Sequence, residues 1–88
     1  MTKREQNIYN AYLRSNLTTL KQCYNSWSWA KERAYNECKN RCAEMKGHDF
    51  RIISYNLNVF TIGYLYEKDN KTYLHYETNV NVLDFEVE

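Results

Sequence analysis

The side chains in this sequence that could do chemistry are three cysteines and two histidines. Cys38 and Cys42 are four residues apart, and with Cys23 and His48 they could form a zinc site of three cysteines and one histidine. Structural zinc sites, however, usually take paired ligands from turns with Cys-x2-Cys spacing. Because Cys38 and Cys42 fall on the apolar side of a predicted helix, we interpret them as small buried hydrophobic residues. We therefore predict neither a metal nor another cofactor.

A nucleophilic cysteine needs a partly exposed thiolate with a base in reach. His48 falls in a predicted helix-to-strand connection and His75 in a predicted strand, and the sequence ties neither of them to a cysteine. The sequence also has no glycine-rich phosphate loop, no nucleophile elbow and no pair of inward carboxylates on adjoining elements. The sequence therefore predicts a protein that is not an enzyme.

Length and composition indicate one domain, residues 1–88. A chain of 88 residues with 43% hydrophobic and 16% aromatic content is long enough for one core and too short for two. The sequence has no run of about 18 apolar residues that could span a membrane and no apolar N-terminal segment typical of a signal peptide. We expect a cytoplasmic protein, in which an odd number of cysteines stays reduced.

Charge is distributed unevenly along the chain, although the formal net charge is only +1. Residues 1–51 have ten Lys and Arg against five Asp and Glu, whereas residues 52–88 have two against six. This difference predicts basic helices and an acidic sheet, which bears on the choice of partners and not on the fold.

The first half of the sequence is predicted to be helical. Thr2 and Glu5 have the spacing of a capping box, which marks the start of a first helix. Ser26 and Ser28 are candidate N-caps for a longer helix, and Gly47 is placed to end that helix in a left-handed conformation. The predicted helices cover residues 3–14, 19–24 and 29–46.

After the long helix the apolar periodicity changes from near four to two, which indicates strands. The two central strands form a hairpin, for which two registers are open. A loop of even length would pair Tyr64 with His75, whereas a three-residue loop would pair Tyr64 with Tyr76. The second pairing is more apolar, so we predict a loop over residues 69–71 with a bulge. Gly63 would then mark a bulge or a close approach by another group. The predicted strands cover residues 50–55, 59–67, 72–78 and 82–87.

These elements predict a fold of the α+β class. The N-terminal helices, one of them long, are expected to pack on one face of a four-stranded antiparallel β-meander. The other face of the sheet is expected to be partly solvated, as is common for antiparallel sheets.

The nine tyrosines and two tryptophans suggest recognition of a partner. Tyrosines on adjacent strands are typical of platforms that stack nucleic-acid bases, but an acidic sheet would repel such a ligand. Trp, Tyr and Arg also dominate protein interfaces, because they bury much area at small entropic cost. Trp27 and Trp29 are two residues apart, so a helix cannot turn both toward one core. The partner-binding residues that we predict are Trp29, Arg33, Arg41, Tyr64, Tyr66 and Tyr76.

As a whole, the sequence resembles the small orphan proteins of phages and prophages in low-GC Gram-positive bacteria. The resemblance spans most of the chain. It rests on residues 2–12, 28–31, 53–64, 76–78 and 84–87, whose patterns are TKREQxIYxAY, SxAK, ISYNxxxFxxGY, YET and DFEV, with x for a position that does not enter the resemblance.

Characterised proteins of that kind are often inhibitors of bacterial immunity, anti-CRISPR proteins among them, that bind and block a nuclease complex. The resemblance therefore implies a non-enzymatic inhibitor that acts on a Cas effector in the cytoplasm of the infected host. Two alternatives stay open. One is a small phage regulator that binds nucleic acid through its basic helices, and the other is a self-associating protein that sequesters a signalling nucleotide. A homodimer is compatible with each of them, since a sheet edge or a tyrosine face could join two copies.

Overall fold

In the computed structural model, the described residues are 1–20, 28–55, 60–78 and 81–87, with Tyr55 described by its backbone alone. They form two α-helices and one four-stranded antiparallel sheet, which confirms the predicted α+β class. The elements in chain order are α1 (Lys3–Arg14), α2 (Trp29–Glu44), β1 (His48–Tyr55), β2 (Phe60–Lys68), β3 (Lys71–Glu77) and β4 (Val82–Val87).

Helix α1 begins at the capping box that the sequence indicates. Thr2 N donates to Glu5 Oε1 at 2.9 Å, and Glu5 N donates to Thr2 Oγ1 at 3.1 Å. These bonds satisfy backbone N–H groups that have no partner inside the helix. At the other end, the Arg51 guanidinium donates to carbonyl oxygens of the last turn, that of Tyr12 among them, at 3.1 Å. The next predicted helix, over 19–24, falls mostly outside the described residues.

Helix α2 begins at Ser28, whose Oγ accepts a backbone N–H from the first turn at 3.2 Å. The left-handed residue after the helix is Lys46, with φ 54°, and not Gly47, so the prediction for Gly47 is wrong. Gly47 is needed for a different reason. A Cβ at this position would lie 2.7 Å from Tyr64 Cδ1 and 3.0 Å from Cys42 Sγ. The end of α2 therefore approaches β2 too closely for a side chain at residue 47.

The strands pair in sequence order, β1-β2-β3-β4, as an antiparallel meander. In the β2-β3 hairpin Tyr64 pairs with His75, so the loop between the strands has an even length. Asp69 and Asn70 both have positive φ, 54° and 64°, which is the signature of a two-residue type I′ turn. The predicted three-residue loop is therefore wrong, because the preference of Asp and Asn for this turn outweighs the gain from a more apolar pairing.

Gly63 marks a close approach within the sheet. It pairs with Arg51 on one side and with Tyr76 on the other. A Cβ on Gly63 would lie 2.8 Å from the backbone oxygen of His75. The register irregularities are on β1, between His48 and Arg51 and again just after Ile52. Of the two sequence predictions for Gly63, the close approach is the one confirmed.

The two helices cover opposite faces of the sheet, which corrects the prediction that they share one face. Side chains alternate along a strand, so one set points to each helix. The α2 layer, on one face, is the cluster of Tyr35, Cys38, Cys42, Ile52, Phe60, Ile62, Tyr64 and Tyr66. The α1 layer, on the other face, is the cluster of Tyr12, Leu74, Phe85 and Val87.

The segment that follows α1 explains the change of face. It runs antiparallel along the outer edge of β1, where Ile52 N donates to Leu17 O at 2.8 Å. Leu17 and Leu20 then pack against the α2 layer. Tyr35 Oη on α2 donates to the Thr18 carbonyl oxygen at 3.0 Å. The chain thus passes around the edge of the sheet between the two helices.

Candidate functional site

Trp29 and Arg33 form the exposed part of the predicted partner-binding set. Both lie on α2, four residues apart, and therefore project from the same side of the helix. Trp29 is 78% exposed. The other aromatic side chains that the structure describes are buried or half-buried. We call the surface formed by Trp29 and Arg33 the outer face of α2.

The strand tyrosines of the predicted set lie inside the protein. Tyr64 is 2% exposed and Tyr66 is 7% exposed, and both belong to the α2 layer. Tyr76 is half-buried and packs against the α1 layer. Burial, with a hydrogen bond to Asp84, raises the pKa of Tyr66 to about 12. Tyr64 and Tyr66 therefore need correction as partner-binding residues, because α2 covers the face of the sheet to which they belong.

Arg41, also in the predicted set, contacts the sheet instead of joining the outer face of α2. Its Nη2 donates to Glu77 Oε1 on β3. This hydrogen bond raises the pKa of Arg41. Arg41 is thus paired within the fold, but 42% of its side chain is exposed, so it stays a predicted partner-binding residue.

Next to this ion pair lies a group of polar side chains, which we call the polar cluster: Cys38, His75, Glu77 and Asp84. Cys38 comes from the middle of α2, and Asp84 comes from β4, where it pairs with His75. His75 and Glu77 are two residues apart on β3, so strand alternation turns both toward α2. Cys38 is 0% exposed and His75 is 7% exposed.

Both ring nitrogens of His75 face carboxylates. Nδ1 lies 2.9 Å from Asp84 Oδ1, and Nε2 lies 2.9 Å from Glu77 Oε2. The Tyr64 ring stacks on the imidazole with the ring centroids 4.8 Å apart. Tyr66 Oη donates to Asp84 Oδ1 at 2.9 Å. The position of the imidazole and the direction of each of its nitrogens are therefore fixed by neighbours.

Glu77 is the acceptor on which the polar cluster converges. Burial would raise the pKa of its carboxyl group, but hydrogen bonds from Arg41, Cys38 and His75 outweigh burial and hold the pKa below its ordinary value. Burial raises the pKa of the Cys38 thiol, and the hydrogen bond to Glu77 raises it further. At neutral pH the two groups are thus a carboxylate and a thiol that donates to it.

Three members of the polar cluster could hold a metal ion. The Cys38 sulfur, one imidazole nitrogen of His75 and one carboxylate oxygen of Glu77 all lie within 4.8 Å of one another. Sulfur, imidazole nitrogen and carboxylate oxygen are the three donor types that zinc sites use.

The basic residues of the helices are divided between the two sides of the sheet. Because α1 and α2 cover opposite faces, their exposed cations cannot line one strip along a phosphate backbone. The cations on α1 are Lys3, Arg4 and Arg14, and those on α2 are Lys31, Arg33, Lys39 and Arg41, of which Lys31 and Arg41 are half-buried.

The polar cluster was missed from the sequence because of the hairpin register. In the predicted register Tyr76 and not His75 would face Tyr64, so His75 would point away from the long helix. The signal that could have found the cluster is the Asp69-Asn70 pair, since both residues tolerate the positive φ of a type I′ turn. A two-residue loop places His75 on the same face as Tyr64.

Comparison with known proteins gave no family: no family model, no curated protein and no solved structure matches the chain. In the part of the chain that the structure describes, the helices are too short or too polar to cross a membrane.

Proposed function

We propose that this chain is a non-enzymatic, protein-binding inhibitor of phage origin, with the outer face of α2 as its contact surface. The observation that carries the proposal is the 78% exposure of Trp29. An indole ring has a large apolar surface whose burial is strongly favourable. Tryptophan is also the type of residue that most often anchors a protein interface. The phage origin, and a Cas effector of the host as the target, come from the sequence resemblance.

The outer face of α2 joins an apolar anchor to a cation on a rigid element. Trp29 is in the first turn of α2, which Ser28 caps, so the anchor is attached to ordered backbone. Anchors on ordered backbone lose little conformational entropy on binding. The Arg33 guanidinium, one turn further along, can form paired hydrogen bonds with a carboxylate. These features favour a partner that offers an apolar pocket beside an acidic group.

A protein target also fits the charge distribution better than a nucleic acid does. Affinity for a nucleic acid grows with the number of phosphates that Lys and Arg neutralise together. The helical cations of this chain lie on opposite sides of the sheet, and Arg41 is paired with Glu77. Only a few of them could therefore contact one nucleic-acid strand at a time.

The test is an affinity capture with the tagged full-length chain from bacterial lysates that express candidate CRISPR effectors, with and without nuclease. We expect a stoichiometric protein partner that survives nuclease treatment. Affinity for that purified partner should fall by about 30-fold for Trp29→Ala, the loss of a hot-spot residue. Arg33→Glu should also weaken binding.

The control variant is Leu13→Ala. Leu13 is 48% exposed and lies on α1, so its truncation removes exposed apolar surface from the other side of the protein. Thermal melts of each variant separate lost binding from lost folding. Captured material that disappears with nuclease would favour the nucleic-acid regulator, and equal binding by Trp29→Ala and the wild type would reject the outer face of α2 as the contact surface.

A further inference from the structure

We propose that Cys38, His75 and Glu77 bind a divalent transition-metal ion of the zinc type between α2 and β3. This site is separate from the outer face of α2 and does not depend on the function proposed above. It also departs from the prediction of no metal and from the cysteine and histidine set considered in the sequence, since it keeps Cys38 but uses His75 and Glu77 in place of Cys23, Cys42 and His48.

The first argument is the convergence of three suitable atoms in a buried place. The sulfur, nitrogen and oxygen atoms lie within 4.8 Å of one another, and His75 Nε2 is already 2.9 Å from Glu77 Oε2. Tetrahedral zinc holds its ligands at about 2.0–2.3 Å. Small side-chain movements would therefore bring all three atoms onto one ion.

The second argument is the orientation of the histidine. Metal-binding imidazoles usually donate their second N–H to a carboxylate, which fixes the tautomer and the ring direction. His75 Nδ1 is 2.9 Å from Asp84 Oδ1, and Tyr66 Oη holds the same carboxylate oxygen at 2.9 Å. Nε2 is thereby left facing Glu77 on the side of Cys38. Such a supporting shell is the arrangement that a metal-binding histidine needs.

The third argument is charge. A thiolate and a carboxylate together neutralise a divalent cation, and Arg41 with Asp84 adds a further balanced pair. Arg41 contacts Glu77 Oε1, which leaves Oε2 for the ion. On binding, the Cys38 S–H proton and the proton between His75 Nε2 and Glu77 Oε2 pass to solvent, and the metal–sulfur, metal–nitrogen and metal–oxygen bonds replace them.

The donor set also selects the ion. A thiolate and an imidazole suit Zn²⁺ and Co²⁺, whereas Mg²⁺ and Ca²⁺ prefer oxygen ligands throughout. With three ligands from the described part of the chain, the fourth position of a tetrahedral ion is left for water. The ion would join the middle of α2 to β3 and so stabilise the α2 layer.

The experiment uses the full chain, treated with a chelator and then titrated with Co²⁺. We expect saturation at one ion per chain, with tetrahedral cobalt bands and a thiolate-to-cobalt absorption that Zn²⁺ removes and Mg²⁺ does not. Zn²⁺ in about 100-fold excess over its Kd should raise the Tm by about 10 °C or more. Absence of the thiolate band in the wild type would overturn the proposal and leave the polar cluster as a hydrogen-bond network.

Variants assign the ligands. Cys38→Ser should lose the thiolate band, whereas Cys42→Ser, a neighbouring buried cysteine one turn away, should keep it. The reverse result would overturn the assignment. If Cys38→Ser does not fold, nitrogen-detected NMR of the wild type gives the answer: one equivalent of Zn²⁺ should shift His75 Nε2 and leave His48 unchanged. A shift confined to His48 would also reject the site.

Discussion

The two faces of the sheet are each covered by one helix, but they are built differently. The α1 layer is an apolar cluster around Tyr12, with the Arg51 guanidinium 4.7 Å from the Tyr12 ring centroid. The α2 layer is apolar over β1 and β2, but over β3 and β4 it gives way to the polar cluster. Among the described residues, the α1 layer contributes apolar packing, whereas the α2 side of the sheet contributes packing and also places groups that could do chemistry.

This difference arises within the strands themselves. On β3 Leu74 and Tyr76 face α1, whereas Tyr73 and His75 face α2. On β4 Phe85 faces α1 and Asp84 faces α2. Polar residues buried on one face must find hydrogen-bond partners there, because an unsatisfied buried group is costly. The partners that they find are one another, Arg41 and the Tyr66 hydroxyl.

The largest effect is expected from Leu74→Ala in the α1 layer. Leu74 is 0% exposed, and removal of a buried leucine side chain costs about 2–5 kcal/mol of unfolding free energy. Urea denaturation measures this cost. Val82→Ala, at an exposed position of β4, serves as the control and should change the free energy of unfolding by less than about 0.5 kcal/mol. If Leu74→Ala lowered the free energy of unfolding by less than about 1 kcal/mol, α1 would not bury Leu74 on this face of the sheet.

A smaller but clear effect is expected from Glu77→Gln in the polar cluster. The amide keeps the shape of the carboxylate but removes the charge that Arg41, Cys38 and His75 contact. We expect a loss of about 1–3 kcal/mol in buffer with a chelator, as for a buried charged acceptor. Glu67→Gln is the matched control at a more exposed position. If the two substitutions had equal effects, the Glu77 carboxylate would stabilise the fold no more than the more exposed Glu67 carboxylate does.

Tyr66→Phe should have a still smaller effect. The substitution removes only the hydrogen bond from Tyr66 Oη to Asp84 Oδ1, which is worth about 0.5–1.5 kcal/mol. The ring stays in the α2 layer, so packing is kept. A double-mutant cycle with Asp84→Asn isolates this bond from other changes. Additive losses in the cycle would show that the two side chains do not interact.

The smallest effect concerns His48, the exposed histidine, outside both layers. Its hydrogen bond with Glu67, and then that with Asp49, raises its pKa above the ordinary value of 6.5. The contribution of protonated His48 to the free energy of unfolding is therefore fully present below pH 6.5. It is lost as the pH rises through the pKa of His48 in the folded state. An NMR titration should show the raised pKa, and Glu67→Gln should lower it. An unchanged pKa in that variant would assign the shift to another neighbour.

Much of the fold could be predicted because its signals are local. The capping box at Thr2 and Glu5 gave the start of α1, and the change of periodicity after α2 gave an antiparallel sheet. The face that each helix covers could not be read in this way, since it depends on how the chain passes the edge of β1 at Leu17. One clue was available. From Phe60 to Leu65 the sequence has no charged residue, and a strand without charge on either face predicts cover on both sides. The structure buries both faces of β2 from Phe60 to Tyr64.

The candidate sites were predictable to different degrees. The argument that Trp27 and Trp29 cannot both face one core predicts that one of them is exposed, and the structure shows that Trp29 is exposed, whereas Trp27 lies outside the described residues. The polar cluster could not be found in the same way. Its members come from α2, β3 and β4, and only the correct hairpin register turns His75 and Glu77 toward Cys38.

The α1 layer joins residues that are far apart in the chain, and this has a consequence for synthesis. Tyr12 packs with Leu74, Phe85 and Val87, so the surface that buries α1 is complete only when β4 has paired with β3. On the ribosome α1 emerges long before that surface exists, and its apolar side is meanwhile open to chaperones and to other chains. The strands, in contrast, pair with sequence neighbours and can form early. Docking of α1 onto the sheet would then be the last step of folding.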